Sequence, residues 1–341
     1  MKNKKIFLAS LLTIFAFTAT IFAGCSSKSE SSSLKTVKLN EVARSVFYAP
    51  MYAAINQGFF KEEGLNIELT TGQGADKTMQ EVISGTVDIG FSGPEQVIYI
   101  NNQNREDYPI LFAQLTQTDG SFLVGRTENK NFTWESVRGK TIIGGRPGGV
   151  PEMALEFVLR NHGLTPGKDV TLITNLAYTA TAGAFKAGVG DYVALFEPTG
   201  SMLEKDKSGY IVASIGKSSG TIPYTCFYST KSYMDKNADI IEKFTRAIYK
   251  GQLWTQKQSN EEVAKAIKSF FPGTDEAILV SVVKNYRDIN AFAINPTLKE
   301  DNLNRLMDII QSYKSELIPA RPAYSKIVTT TFSEKVISEI K

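Results

Sequence analysis

The sequence predicts an α/β protein of two lobes, with mostly parallel sheets flanked by helices and a helical C-terminal region. Three observations predict it. From Lys35 short apolar strands alternate with amphipathic helices. The same alternation restarts at Phe122. From Asp239 the pattern is almost wholly helical. Repeated strand–helix–strand units put parallel strands in sheets covered by helices on both faces.

In the first set, Val37 and Leu39 alternate with Lys38 and Asn40, the period of two that marks a strand. Over residues 50–64, Met51, Tyr52, Ile55, Phe59 and Phe60 recur at helical spacing, with Lys61, Glu62 and Glu63 in a polar last turn. Residues 66–69 form a second strand. Residues 77–85 form a helix with Met79, Val82 and Ile83 on one face. Residues 87–91 are a third strand, Pro94 opens a third helix, and residues 109–117 are another strand.

The second set has strands at 122–125, 141–144, 170–173, 192–196 and 210–213. Helices at 152–161 and 180–188 separate them. Four helices follow, at 240–258, 261–271, 275–286 and 299–317. Two successive sets imply two lobes: 37–118 with 232–330, and 119–231. The expected crossings lie near 117–120 and 227–232.

The N-terminus reads as an export signal. Lys2, Lys4 and Lys5 precede an apolar run that ends in Ile21-Phe22-Ala23-Gly24-Cys25. Ser10, Thr13, Thr18 and Thr20 interrupt that run, which argues against a permanent span. A cysteine after Ala23-Gly24 resembles the lipobox of bacterial lipoproteins, although Phe22 stands where leucine is usual. That resemblance implies cleavage after residue 24 and a lipid on Cys25. Residues 25–36 are serine-rich and polar, the composition of a flexible tether.

Removing 24 of the 341 residues leaves 317, enough for two lobes. It also removes three of the 38 basic residues, leaving 35 against 35 acidic. Such a balance carries no footprint for nucleic acid. Cys226 is the one cysteine left, so no internal disulfide is expected. With a single histidine, His162, no His/Cys metal cluster can form, and neither metal nor cofactor is expected. His162 lies just before Gly163 and reads as a helix-end residue rather than a catalytic one.

Loops at the carboxyl ends of the strands are where an open α/β sheet binds ligands. Gly145-Arg146-Pro147-Gly148-Gly149 lies between a strand and a helix. Its glycines let backbone approach a ligand, helix-start N–H groups can hold an oxygen, and Arg146 can pair with an acid. The same segment also reads as a tight turn with Pro151 in the first helical turn. Ser92, in Ser92-Gly93-Pro94-Glu95, either bonds a ligand or caps a helix. Glu197 follows Leu195-Phe196 and reads as an acceptor for a ligand amino group or as a solvated acid. Tyr48, Tyr178, Phe196 and Tyr224 fall at element ends, where they stack on a planar ligand or join the core. Arg44 is a candidate for a charged ligand group or an inter-lobe salt bridge.

Three segments together carry a wider resemblance. Phe47-Tyr48-Ala49-Pro50-Met51-Tyr52 leads into Gly58-Phe59-Phe60-Lys61-Glu62-Glu63-Gly64-Leu65. Gly85-Thr86-Val87-Asp88-Ile89-Gly90 precedes Ser92-Gly93-Pro94-Glu95. Gly139-Lys140-Thr141-Ile142 precedes the glycine loop. From about Val37 to about Trp254 the chain resembles the substrate-binding proteins of ABC importers for thiamine pyrimidine precursors, aliphatic sulfonates and riboflavin-like compounds. The resemblance implies a two-lobed type II periplasmic-binding-protein fold with a ligand cleft and two hinge crossings. It implies an extracytoplasmic, lipid-anchored monomer that binds a small molecule at Arg44, Tyr48, Ser92, Glu95, Arg146, Gly148, Gly149, Tyr178, Glu197 and Tyr224 and passes it to a membrane permease. The expected ligand is a small planar nitrogen heterocycle such as a thiamine pyrimidine precursor, with an organosulfonate or riboflavin-type ligand as the alternative. The superfamily also contains a eukaryotic enzyme that makes the thiamine pyrimidine. That enzyme uses a cysteine-rich motif and a sacrificial histidine, which the isolated Cys226 and His162 do not supply. An adhesin is the remaining class and predicts no concave site.

Overall fold

A computed structural model describes residues 34–340. The signal segment, Cys25 and the tether as far as residue 33 lie outside the described residues. Strand β1 (Lys35–Glu41) passes through a 3-10 turn, Val46–Tyr48, into α1 (Ala49–Asn56) and α2 (Phe59–Glu62). The single helix expected over 50–64 is therefore two. It breaks at Gly58, whose φ of 83° is open to glycine without a Cβ penalty. Then come β2 (Leu65–Thr71), α3 (Ala75–Ile83), β3 (Ile89–Ser92), α4 (Glu95–Asn101) and β4 (Pro109–Thr116).

The chain next crosses to β5 (Ser121–Gly125), β6 (Thr141–Ile143), α5 (Val150–Asn161), β7 (Thr171–Ile173), α6 (Tyr178–Lys186), β8 (Tyr192–Phe196), α7 (Thr199–Lys205), β9 (Tyr210–Ser214) and α8 (Ile215–Ser219). It returns in β10 (Thr225–Thr230). The helical region holds α9 (Lys231–Lys236), α10 (Ala238–Lys257), α11 (Asn260–Ile267), α12 (Glu276–Asp288), α13 (Glu300–Tyr313), α14 (Tyr324–Ile327) and α15 (Thr331–Glu339).

Two five-stranded sheets result, in the orders β2-β1-β3-β10-β4 and β7-β6-β8-β5-β9. In the first, β1 is parallel to β2 and β3, and β10 runs antiparallel to β3 and β4. In the second, β6 is parallel to β7 and β8, and β5 runs antiparallel to β8 and β9. Four strands of each sheet thus run one way and one inserted strand runs against them. Each inserted strand is the one that arrives directly from the other lobe.

That placement corrects one expectation. Residues 225–230 pair in the first sheet, so the return crossing occupies 220–224 rather than 227–232. The outward crossing falls at 117–120, as expected. Register then fixes where the crossings lie. Cys226 opposes Ser92, the end of β3, and Ser121 opposes Phe196, the end of β8. Both crossings therefore sit at the carboxyl ends of the parallel strands, where ligand sites form.

The largest core cluster unites the first sheet with the C-terminal helices and takes in Phe122, Val150, Met153 and Ile222 from the second half. Two smaller clusters fill the faces of the second sheet, around Leu155 and Ile215 and around Phe185 and Leu203. The C-terminal helices touch both lobes. α12 packs on the Val46–Tyr48 turn and on α7, and α13 packs on α4 and α5. Among the described residues no helix is long and apolar enough to cross a membrane.

Candidate functional site

The crossings bring aromatic rings together. The Phe47 ring centre lies 5.6 Å from Tyr48, 5.6 Å from Tyr224, 6.0 Å from Phe196 and 4.9 Å from Tyr286. Tyr48 meets Phe91 edge-on at 4.7 Å. These are ordinary aromatic pair separations, so the rings brace one another into a wall.

Two carboxylates are buried beside that wall, and a third lies on α5. Glu95 opens α4 and is 1% exposed, and Asp119, in the outward crossing, is 0% exposed. Glu152, on α5, is also 0% exposed. Glu95 Oε1 accepts a 3.3 Å bond from the Gln96 amide, while Oε2 has no partner. Asp119 Oδ1 accepts from the Ser121 N–H at 2.7 Å and from the Ser121 hydroxyl, while Oδ2 has none. Glu152 Oε2 accepts from the Gly145 N–H at 2.8 Å, while Oε1 has none. Burial raises all three, Glu95 to about 7 and Asp119 to about 6. Burial and then the charge of Glu156 push Glu152 to about 8.

The Tyr224 hydroxyl is directed at Asp119, a contact too loose to complete a full hydrogen bond for either group. The Tyr178 phenol is raised by burial, then by Glu95 and Asp119, with Arg146 opposing and Glu152 adding. Tyr178 thus stands among all four charges. A buried polar group without a partner costs free energy, and native proteins leave few of them. Here several lie buried between the lobes.

The structure brings together Tyr48, Glu95, Tyr178 and Tyr224, with Arg146, Gly148 and Gly149 at the rim. Arg146 Nη1 lies 3.4 Å from Asp76 Oδ1 of α3, so the half-exposed pair joins the lobes. The Gly148 carbonyl accepts from the Tyr99 hydroxyl of α4 at 3.0 Å, a second inter-lobe bond. A groove of about 340 Å³ at this rim is lined by Gln73, Arg146, Pro147, Leu176 and Tyr178, among others. The glycine loop already holds a carboxyl group of its own, because the Gly145 N–H donates to Glu152.

Other candidates are engaged elsewhere. Arg44 Nε pairs with the buried Glu41 at 2.7 Å and lies over Tyr52 and Phe270, all in the first half and its helical pack. It therefore makes no inter-lobe salt bridge. Ser92 shares a 2.7 Å hydrogen bond with the Tyr228 hydroxyl, and the cap of α4 is Pro94, so Ser92 caps no helix. Glu197 is no solvated acid: it is buried, and both its oxygens are occupied. Oε2 accepts from the Ser201 N–H at 2.8 Å, and Oε1 from the Ser201 hydroxyl at 2.8 Å and Asn285 Nδ2 at 2.9 Å. His162 is the C-cap of α5 and meets Glu135 at 2.9 Å.

Sequence reasoning missed Asp119 and the free edge of Glu152. Asp119 reads as an ordinary turn acid. The available signal is its position between two largely apolar strands, buried but for Ile110, where a turn has little solvent to face.

Two lobes of like topology, joined by two crossings and enclosing rings and unpartnered acids, define a two-lobed binding protein of the type II periplasmic-binding-protein fold. The chain belongs to the NMT1/THI5-like family, whose model matches residues 46–262. YtlA of Bacillus subtilis (strain 168), named as a binding protein with no ligand stated, is 43% identical over 319 residues, covering 94% of this chain and 95% of YtlA. Among solved structures, the alkanesulfonate-binding protein SsuA of Xanthomonas axonopodis pv. citri, bound to MOPS, superimposes with a TM-score of 0.69. The pair share 15% identity, over 86% of this chain and 98% of that one. The periplasmic nitrate-binding protein NrtA of Synechocystis PCC 6803 also gives 0.69, at 14% identity over 90% of this chain and 89% of that one.

Proposed function

We propose that this chain is the extracytoplasmic substrate receptor of an ABC-type importer, held to the membrane by a lipid on Cys25. It works as a monomer. Its ligand is a small planar nitrogen heterocycle, such as a thiamine pyrimidine precursor. The observation that carries this reading is the cluster of aromatic rings at the crossings, beside which the acceptors of Glu95 and Asp119 and the Tyr224 hydroxyl lie buried without full hydrogen bonds. Rings suit a planar ligand, and carboxylates suit its amino groups.

The chain performs no chemistry in this role. Ligand draws the lobes together about the crossings at 117–120 and 220–224, and the closed form docks on a permease. An organosulfonate, the ligand class in the name of SsuA, would meet carboxylates instead of bases here. Arg146 at the rim is the one feature in its favour.

Native mass spectrometry of protein purified from cells tests the ligand. A co-purifying nitrogen heterocycle supports the reading, and a co-purifying sulfonate overturns it. The anchor has its own test. Cys25→Ala releases the body in soluble form, because the lipid is its only membrane contact. Retention of that variant on membranes after a carbonate wash removes the lipoprotein reading.

A further inference from the structure

We infer that the ligand is a cation whose N–H donors complete the Glu95 and Asp119 carboxylates and the Tyr224 hydroxyl. This rests on the inter-lobe cleft being the ligand site. Each of the three groups keeps an unpartnered oxygen, and each is at least nine-tenths buried. They come from three separate segments: the start of α4, the outward crossing and the return crossing. Their convergence therefore follows from the way the two lobes are joined.

The neighbours supply no counter-charge. Glu95 faces Gln96, and its charge is felt by Tyr48, Tyr99, Tyr178, Cys226 and Tyr228. Burial raises the tyrosines and Cys226 above their usual range, so all are neutral at neutral pH. Asp119 faces Ser121, Tyr224 and Tyr178. Among the described residues no base lowers either acid. Arg146 acts on Tyr178 but lies at the rim beside Asp76, and the one further group acting on Tyr178 from the second lobe, Glu152, is an acid and not a base.

Two buried acids without a cation are stable only when protonated. A cationic ligand reverses that. It lets both ionise, and its binding expels protons around pH 6 to 7, where burial has placed them. An anionic ligand does the opposite, taking protons up and binding more tightly as pH falls.

Three planar probes of different charge separate these cases. Benzamidine is a cation, benzamide is its neutral near-isostere, and benzenesulfonate is an anion. Calorimetry of the purified mature protein is run near pH 5.5 and near pH 8, in buffers of different protonation enthalpy. We expect benzamidine to bind more tightly than both others and to release protons. Its affinity should rise about tenfold or more from the lower pH to the higher one.

Glu95→Gln and Asp119→Asn mimic the protonated acids and should keep the fold, as checked by thermal melting. Each should weaken benzamidine by about tenfold or more and change benzamide far less. Benzamide or benzenesulfonate binding as tightly as benzamidine, with both variants indifferent, overturns the cation while the receptor reading stands. If none of the three binds or compacts the protein in small-angle scattering, the cleft is not a site for planar ligands and both readings fall.

Discussion

Glu197 and Glu95 occupy similar sites with opposite outcomes. Both are buried acids at the carboxyl end of a strand. Glu197 receives three donors, from Ser201 and Asn285, and its carbonyl accepts from Ser45 at 2.8 Å. Its N–H in turn donates to the Tyr286 hydroxyl at 3.0 Å. The residue therefore ties the second sheet to the first half and to α12. Removing the carboxylate strands the Ser201 amide and Asn285, so Glu197→Ala should lower stability by about 1–3 kcal/mol, read from urea midpoints. A variant as stable as the parent but weaker for ligand would return Glu197 to the binding site. Tyr178 is the contrasting case, a half-buried ring at the start of α6 whose removal should leave the fold intact. Tyr178→Ala should weaken a planar ligand by about 0.5–1.5 kcal/mol through lost ring pairing, measured by calorimetry.

The short elements around the crossings decide how closely the lobes approach. α8 seats the outward crossing: Thr118 Oγ1 donates to the Gly216 carbonyl at 2.8 Å, and a Cβ at Gly216 would come within 2.0 Å of the Asp119 carbonyl oxygen. Backbone on backbone cannot yield, so Gly216→Ala should cost about 1–3 kcal/mol as an overpacked contact, seen as a lower melting temperature. An unchanged melting curve would mean the crossing is not seated there. The elements that sequence reasoning recovered are those whose pattern is local. β1 alternates, β3 and β5 are continuous apolar runs, and α10 has a clean amphipathic face. α8, Ile-Gly-Lys-Ser-Ser, has no period to read. β10, Thr-Cys-Phe-Tyr-Ser-Thr, is polar at both ends and looks like a linker, although pairing with β3 and β4 buries nearly all of it. For the site, the tyrosines stood out in the sequence as residues at element ends, while Glu95 came only with the family resemblance. Whether an acid is satisfied was not legible, because the partners of Glu197 come from α7 and α12 and the loneliness of Asp119 depends on both lobes.

At the scale of the molecule, the buried acids couple stability to pH. Glu95, Asp119 and Glu152 have ordinary values of 4.5, 3.8 and 4.5, and burial raises them to about 7, 6 and 8. The folded protein therefore holds protons that the unfolded chain releases. The stability this gives is fully present below about pH 4 and is lost as pH rises through those folded values. Surface acids such as Asp107, Asp169 and Glu242 are lowered instead, and their contribution is lost only on acidification below their ordinary range. Between about pH 5 and 8 the buried acids dominate. Each proton held by the fold alone lowers stability by about 1.4 kcal/mol per pH unit between its unfolded and its folded value. Ligand-free protein should therefore show urea midpoints that fall steadily from about pH 5 to about pH 8. Combining Glu95→Gln with Glu152→Gln should flatten the slope, since an amide has no proton to lose. A midpoint that rises over this range would mean that the acids are ionised within the fold and that a counter-charge meets them between the lobes.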